Sequence, residues 1–594
     1  MEITNDKQNK KLNLKTWKNF LIYLRPYKLQ FIKLGFIMVL LGIFDAIFPL
    51  LNKYAIDNFI IGNNITNIVY FAGIFFILVL FLAITVYGFI SIAGKIETQM
   101  AYDLRKIGFE KLQNLPLSFY NKNAVGSLMS RLTSDILRLS EIISWGVVDI
   151  LWGLSLMIVI TIVMFRLNTK LAIITIGMLP ILILISNYFQ KTMLKSQRHI
   201  RKINSKITAS FNEDIQGAKT TKTLNTEELN LKEFNEITES MRQSSVKFLI
   251  TSSIYIPIVL IFGTTITSLV LGIGGNDVIN GLISYGTLIV FISYASQFFE
   301  PINQIAIVFS ELQTAQASAE RFFELMDEEL EIFDSEEVIE NFKDISLPEM
   351  KGDIEFNDVT FYYTEDEIVL KNFNLDIKSG QTVALVGETG SGKSTIVNLI
   401  SRFYEPKSGV IKVDGKDYKT LPQDFIHKNL GYVLQTPHLF NGTIKDNILY
   451  GNLDATDEDI VSACKLVDAH NFIMNLPDNY NYIVGEGGAL LSTGQKQLIS
   501  FARAIIKDPR LFILDEATSS IDTQTEQTIQ KAINNILIGR TSFVIAHRLS
   551  TIKNADIIVV LQKGEIVEKG THDQLLRNKG YYYELYTNQY SKNK

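Results

Sequence analysis

The sequence predicts two domains of different class: an all-α transmembrane domain of six helices with long cytoplasmic extensions, then a soluble α/β domain built on a phosphate-binding loop (P-loop). Three observations predict it. Apolar residues concentrate before about residue 310, in stretches long enough for a bilayer, which takes about 20 apolar residues. Beyond residue 350, strand-like runs (IEFNDVTFYY, TVALVG, LFILD, SFVIA, DIIVVL) alternate with helical ones. Between them LVGETGSGKST, residues 385–395, fits G-x-x-x-x-G-K-[ST] with an apolar strand before it and a helical run after it.

Residues 1–28 read as a cytoplasmic and interfacial segment. Lys7, Lys10, Lys11, Lys15, Lys18, Arg25 and Lys28 make it basic, which places it inside by the positive-inside rule. It lacks an apolar core and a small-residue cleavage site, so it is not read as a cleaved signal peptide. Trp17, Phe20, Leu21 and Leu24 fall at helical spacing, as in a helix lying on the membrane surface.

The transmembrane domain, 29–326, holds six candidate spans: 31–51, 69–93, 142–165, 171–189, 248–271 and 282–309. The second and third are nearly free of charge. Six crossings return the chain to the cytoplasm. The outer loops carry only Lys53, Arg166 and Lys170, whereas the inner ones carry Arg105, Lys106, Arg131, Lys191, Lys195, Arg198, Arg201 and Lys202. The inner connections, 94–141 and 190–247, are polar with helical periodicity. Each predicts two helices continuing past the membrane, turning near 118–127 and 213–225; solvated loops are the alternative. Acidic residues 327–350 form the linker, and 351–594 the α/β domain.

Composition excludes several classes. Cys464 is the only cysteine, so there is no intramolecular disulfide and a cysteine-rich metal site is disfavoured. The net charge of −5 comes with no basic stripe interleaved with aromatics, and no nucleic acid is expected as a partner.

The chemistry lies in the α/β half. Within Gly387-Glu388-Thr389-Gly390-Ser391-Gly392-Lys393-Ser394-Thr395, glycines let the backbone wrap a phosphate, and the following helix turns its free N–H groups toward it. Lys393 would reach the β- and γ-phosphates and Ser394 would hold Mg²⁺. Leu511-Phe512-Ile513-Leu514-Asp515-Glu516 is a buried strand delivering two carboxylates to its C-terminal end. Asp515 fits the Mg²⁺ shell, and Glu516 is placed to polarise an attacking water. LSTGQ, 491–495, precedes the helical run KQLISFARAIIKD and forms a second anion site at a helix N-terminus.

Together these motifs resemble the ATP-binding cassette (ABC) proteins, and over nearly the whole chain the arrangement is similar to an ABC exporter half-transporter. The resemblance implies ATP and Mg²⁺ as ligands, with Ser492, Gly494 and Gln495 of the signature contacting ATP. It implies that Tyr363 stacks on adenine and that Gln435 links Mg²⁺ and the nucleophilic water to the membrane domain. Asp522 would communicate between two ATP sites, His547 would contact the γ-phosphate, and Glu486 would meet the intracellular helices. In this family two nucleotide domains sandwich two ATP molecules head to tail, so a second half-transporter is implied as partner.

One position departs from the family's LSGGQ: Thr493 replaces the first glycine, and its Cβ limits close approach to a phosphate. Beside an intact Glu516 and His547, this resembles the catalytically intact subunit of heterodimeric bacterial multidrug exporters; a homodimer tolerating threonine is the alternative. The resemblance implies ATP-driven export of hydrophobic or amphiphilic molecules across a bacterial cytoplasmic membrane, in contact with its lipids, by alternating access. A lipid flippase of the same architecture is the second reading. Asp45 and Glu300 are membrane-depth carboxylates, either cation-binding or helix-tying.

Overall fold

The computed structural model describes residues 14–329, 331–342, 349–365, 367–515, 523–545 and 549–590. The chain divides into two compact units. One comprises Met1–Asn114 and Ala124–Glu328, the other Leu115–Asn123 and Glu329–Lys594.

The first unit is helical. A short helix, Leu14–Leu24, precedes helices Lys28–Ala55, Ile68–Asn114, Ile136–Leu167, Thr169–Gln216, Glu227–Ile279, Tyr285–Gln297 and Phe299–Asp327. Five helical segments in this unit are long and apolar enough to cross a membrane by length and composition. Helix Ile68–Asn114 has 47 residues. At 1.5 Å per residue that is about 70 Å, far beyond a hydrocarbon core of about 30 Å. The expected extensions are therefore continuous helices rather than loops. The second pair turns through the short helix Ala218–Leu224, within the expected 213–225 tip.

The sixth expected span is not one helix. It breaks at Phe298 into pieces of 13 and 29 residues. Pro301 accounts for the position. It has no N–H for the carbonyl of Gln297, and its ring crowds that same carbonyl.

The helix Leu14–Leu24 packs inward with Phe20, which is buried. Its aromatic rings meet the last helix: Phe20 to Phe323 at 6.2 Å and Tyr23 to Phe322 at 5.7 Å, both edge to face. Asp135 is buried against the same helix. It accepts two hydrogen bonds from Arg321, at 2.6 and 2.7 Å, and one from Ser318 at 2.8 Å. Burial opposes its ionisation, but Arg321 and Ser318 outweigh that and hold the carboxyl below its ordinary value. Lys53 and Lys170, expected on outer loops, each pair with an acid, Asp57 at 2.8 Å and Asp277 at 3.0 Å.

The second unit carries two sheets. Strands β1 (Ile354–Thr364), β2 (Glu367–Ile377), β4 (Ser408–Val413) and β5 (Lys416–Asp417) form an antiparallel sheet in the order β2-β1-β4-β5. The larger sheet contains β3 (Thr382–Gly387), β6 (Leu430–Val433), β7 (Leu511–Asp515), β8 (Thr541–Ile545), β9 (Ile557–Gln562) and β10 (Glu565–Gly570). Its order is β10-β9-β3-β8-β7-β6, parallel except for the edge strand β10. Both faces of this sheet are covered, which is why its strands are uninterrupted apolar runs. Ala384, Val386, Phe512, Leu514, Val544, Ile558 and Val560 pack on one side with the helix Thr493–Ile505. The alternate residues Val383, Leu385, Leu511, Ile513, Phe543, Ile545, Val559 and Leu561 face the antiparallel sheet and the helix Lys393–Ile400. The linker is not free either. Asp334 accepts from Arg402 at 3.3 Å and from the Gln423 backbone at 3.1 Å.

Candidate functional site

The phosphate loop leaves β3 at Gly387 and enters a helix at Lys393. Parallel register puts Leu385, Ile545 and Asp515 in one row across β3, β8 and β7. Neighbouring strands lie about 4.8 Å apart, so the loop and Asp515 emerge from the same sheet edge roughly 10 Å apart in strand spacing. Val433 pairs with Leu514, so Gln435, two residues on and exposed, leaves the sheet at that edge too. Gln435 and Asp515 are therefore gathered beside the loop by topology alone, as a parallel sheet requires.

Loop geometry explains its glycines. A Cβ at Gly387 would lie 2.3 Å from the carbonyl oxygen of Leu561, on the neighbouring strand. Gly392 caps the helix at φ +102°, where an L side chain is strained, and no side chain caps the helix. The first-turn N–H groups thus stay open toward an anion. Lys393 Nζ donates to the carbonyls of Gly387 at 2.8 Å and Glu388 at 2.7 Å, arching over the loop. Burial pushes its pKa down, and the Asp515 charge pulls it back. Ser391 Oγ is buried and has no hydrogen-bond partner among the described residues. Glu388, Thr389, Gly390 and Ser394 are exposed, and Thr395 is buried with its hydroxyl 3.1 Å from that of Tyr363. A strand-wrapped loop with an orphaned hydroxyl, an arched lysine and free amides fits a nucleotide triphosphate.

The signature helix starts at Thr493 with Ser492 as its cap. Ser492 Oγ accepts from the Gln495 amide, and Gln495 Oε1 accepts from the Ser492 amide at 2.9 Å. This reciprocal box leaves Ser492 and Thr493 exposed and buries Gly494. Among the described residues, no hydrogen bond or ion pair joins 491–495 to the phosphate loop of the same chain. Glu486 is exposed at the start of a single 3₁₀ turn, Glu486–Gly488. Glu516, Asp522 and His547 lie outside the described residues.

Sequence reasoning passed over Arg503. It sits inside the signature helix and grips the segment that follows Gln435. Its guanidinium donates to the Asn447 carbonyl at 2.8 Å, the Asn447 side chain at 2.6 Å and the His438 carbonyl at 2.8 Å. The available signal was an arginine on the face of an amphipathic helix that otherwise packs into the core.

Residues 31–302 match the family described as ABC transporter transmembrane region, and residues 370–519 the family described as ABC transporter. A relative named ATP-dependent lipid A-core flippase, from Syntrophus aciditrophicus, is 33% identical over 97% of this chain and 95% of its own. This chain belongs to the ABC transporters. A probable multidrug resistance ABC transporter ATP-binding/permease protein of Bacillus subtilis is 38% identical over 83% of this ABC transporter chain and 72% of its own. A bacterial Atm1-family ABC exporter solved with ATP bound superposes with a TM-score of 0.76, at 26% identity, covering 96% of this chain and 98% of that one. The ABC exporter fold, with a helical membrane domain and an α/β ATPase domain on one chain, follows, and with it ATP hydrolysis coupled to transport, using ATP and Mg²⁺.

Proposed function

We propose that this ABC exporter chain is one half of a dimer that moves hydrophobic or amphiphilic small molecules, of multidrug type, out of a bacterial cell by alternating access. The observation that carries the reading is the union, in one chain, of long apolar helices with a sheet edge that gathers the phosphate loop, Asp515 and Gln435. On this reading 29–326 is the membrane domain, 327–350 the linker and 351–594 the ATPase domain.

Bound ATP supplies the phosphoanhydride whose cleavage resets the cycle, and the chain's own residues bind and orient it. Tyr363 stacks on the base. Lys393 trades the two loop carbonyls it now holds for β- and γ-phosphate oxygens. Ser394, Gln435 and Asp515 hold Mg²⁺, an ion that typically takes only a few protein ligands and leaves the rest to phosphates and water. Glu516 polarises the attacking water and His547 contacts the γ-phosphate. Ser492, Gly494 and Gln495 serve the ATP bound by the partner. Thr493 beside Glu516 favours a different half-transporter as that partner.

A lipid-translocating role is the second reading, favoured by the name of the flippase relative. Asp45 accepts a hydrogen bond from Trp152 at 2.9 Å, which ties the first span to the third and supports a structural use of that carboxylate; Glu300 is exposed on the single chain.

Inside-out vesicles carrying the chain with its partner test the proposal. ATP should drive uptake of a cationic dye, and Glu516→Gln should abolish uptake and steady-state hydrolysis while ATP still binds, a loss of several powers of ten. Near wild-type turnover in Glu516→Gln would sink the catalytic assignment. Movement of a labelled lipid without any dye transport would select the flippase reading.

A further inference from the structure

Tyr363 is the penultimate residue of β1, with 45% of its surface exposed, and two aromatic rings pack against its own. Tyr404 stands at right angles to it, 5.1 Å between ring centroids and 89° between planes. Phe361 makes a second perpendicular contact at 4.9 Å. Tyr404 is buried, and its hydroxyl accepts a hydrogen bond from Asn121 Nδ2 at 2.9 Å.

Asn121 comes from a distant part of the chain. It lies on the short helix Leu117–Lys122, within the segment Leu115–Asn123 that folds with the ATPase unit. Leu115 and Phe119 are buried there, and Ser118 Oγ donates to Glu331 at 2.8 Å. The segment enters from the end of the 47-residue helix Ile68–Asn114 and leaves toward Ala124. A cavity of about 570 Å³ opens beside it, lined among others by Asn121, Lys122, Tyr363, Tyr404 and Lys407.

We propose that Asn121 and Tyr404 are positioning residues for the nucleotide base: their hydrogen bond fixes the ring that fixes Tyr363, so base affinity depends on where the helix Leu117–Lys122 sits. The proposal rests on the reading of Tyr363 as the base-stacking residue. Perpendicular aromatic pairs have a preferred geometry, so turning Tyr404 turns its neighbour. The coupling is reciprocal by linkage. A base seated on Tyr363 favours the helix position that keeps the Asn121 bond, and withdrawal of the helix weakens the base. Movement of the long helices thereby reaches the nucleotide through its base as well as its phosphates.

The test measures equilibrium binding of ATP and of inorganic tripolyphosphate, each with Mg²⁺, to the purified full transporter. Asn121→Ala and Tyr404→Phe remove the same hydrogen bond from opposite ends; the second keeps the ring and its burial. Each should weaken ATP about fivefold, the worth of one neutral hydrogen bond, and leave tripolyphosphate unchanged. The double variant should lose no more than either single one. Unchanged ATP affinity in Tyr404→Phe, additive losses, or equal losses for ATP and tripolyphosphate would overturn the proposal. Tyr363→Ala separates the premise: if it binds ATP as tightly as wild type, the base-stacking reading fails. If it alone weakens ATP, the stacking stands and the relay fails.

Discussion

At the scale of single residues, the phosphate loop shows why some positions are legible and others are not. Gly387 was readable because the motif demands a glycine; the reason it cannot be anything else lies on another strand, at the Leu561 carbonyl. Gly387→Ala should therefore destabilise the ATPase domain by about 1–3 kcal/mol, as overpacking against backbone does, and lose ATP binding at least tenfold. Thermal melting with an ATP titration checks it, and a variant that binds ATP normally would show the loop can shift. Arg503 shows the opposite case. Nothing in ARAII reveals that a guanidinium spans from the signature helix to 438–447, because the contact depends on how two segments some 56 residues apart are brought together by β6 and β7. The gathering of Lys393, Ser394 and Asp515 at the C-terminal ends of the strands was legible because strand-to-loop spacing is local; the Asn121–Tyr404 contact, between positions 283 apart in sequence, was not.

Among the elements, the strands and long helices followed the sequence closely. Alternate residues of the central strands point to opposite covered faces, which made the apolar runs readable as strands but not their order. The helical extensions were legible from periodicity, and so was a kink of the sixth span at Pro301; the full interruption at Phe298 comes from Pro301 removing the hydrogen bond that would carry the helix across. The extension helices also carry the Asp135–Arg321 pair. Asp135→Asn should lower stability at neutral pH by roughly 1–3 kcal/mol, discounted because the Arg321 side chain is 41% exposed and can rehydrate. Its folded pKa lies below the unfolded value, so the pair stabilises fully above about pH 4 and is lost as pH falls through the folded pKa. Melting curves of the purified chain and the variant should thus differ at neutral pH and converge in acid. A gap that persists in acid would assign the effect to packing.

For the molecule as a whole, the proposed dimer places the signature of one chain against the phosphate loop of the other. Purified alone, the chain should hydrolyse ATP slowly, and co-expression with a cognate half carrying a degenerate catalytic glutamate should raise the rate at least tenfold. Thr493→Gly should then change activity far less than Glu516→Gln, since in the proposed heterodimer Thr493 would face the partner's nucleotide. Full activity from a verified homodimer would reject the heterodimer. The apolar window of helix Ile68–Asn114 has no residue buried within the single chain, so lipid or a second half must cover it.

The clasp between Phe20, Tyr23, Phe322 and Phe323 bears on how the chain is made. The two sides of that contact are synthesised about 300 residues apart, roughly 15–60 s at about 5–20 residues per second. Until the helix Phe299–Asp327 has been made, the helix Leu14–Leu24 lacks this partner for its aromatic face. A ribosome-arrested nascent chain ending before Phe322 should leave the N-terminal helix open to protease, and one extending past the linker should protect it.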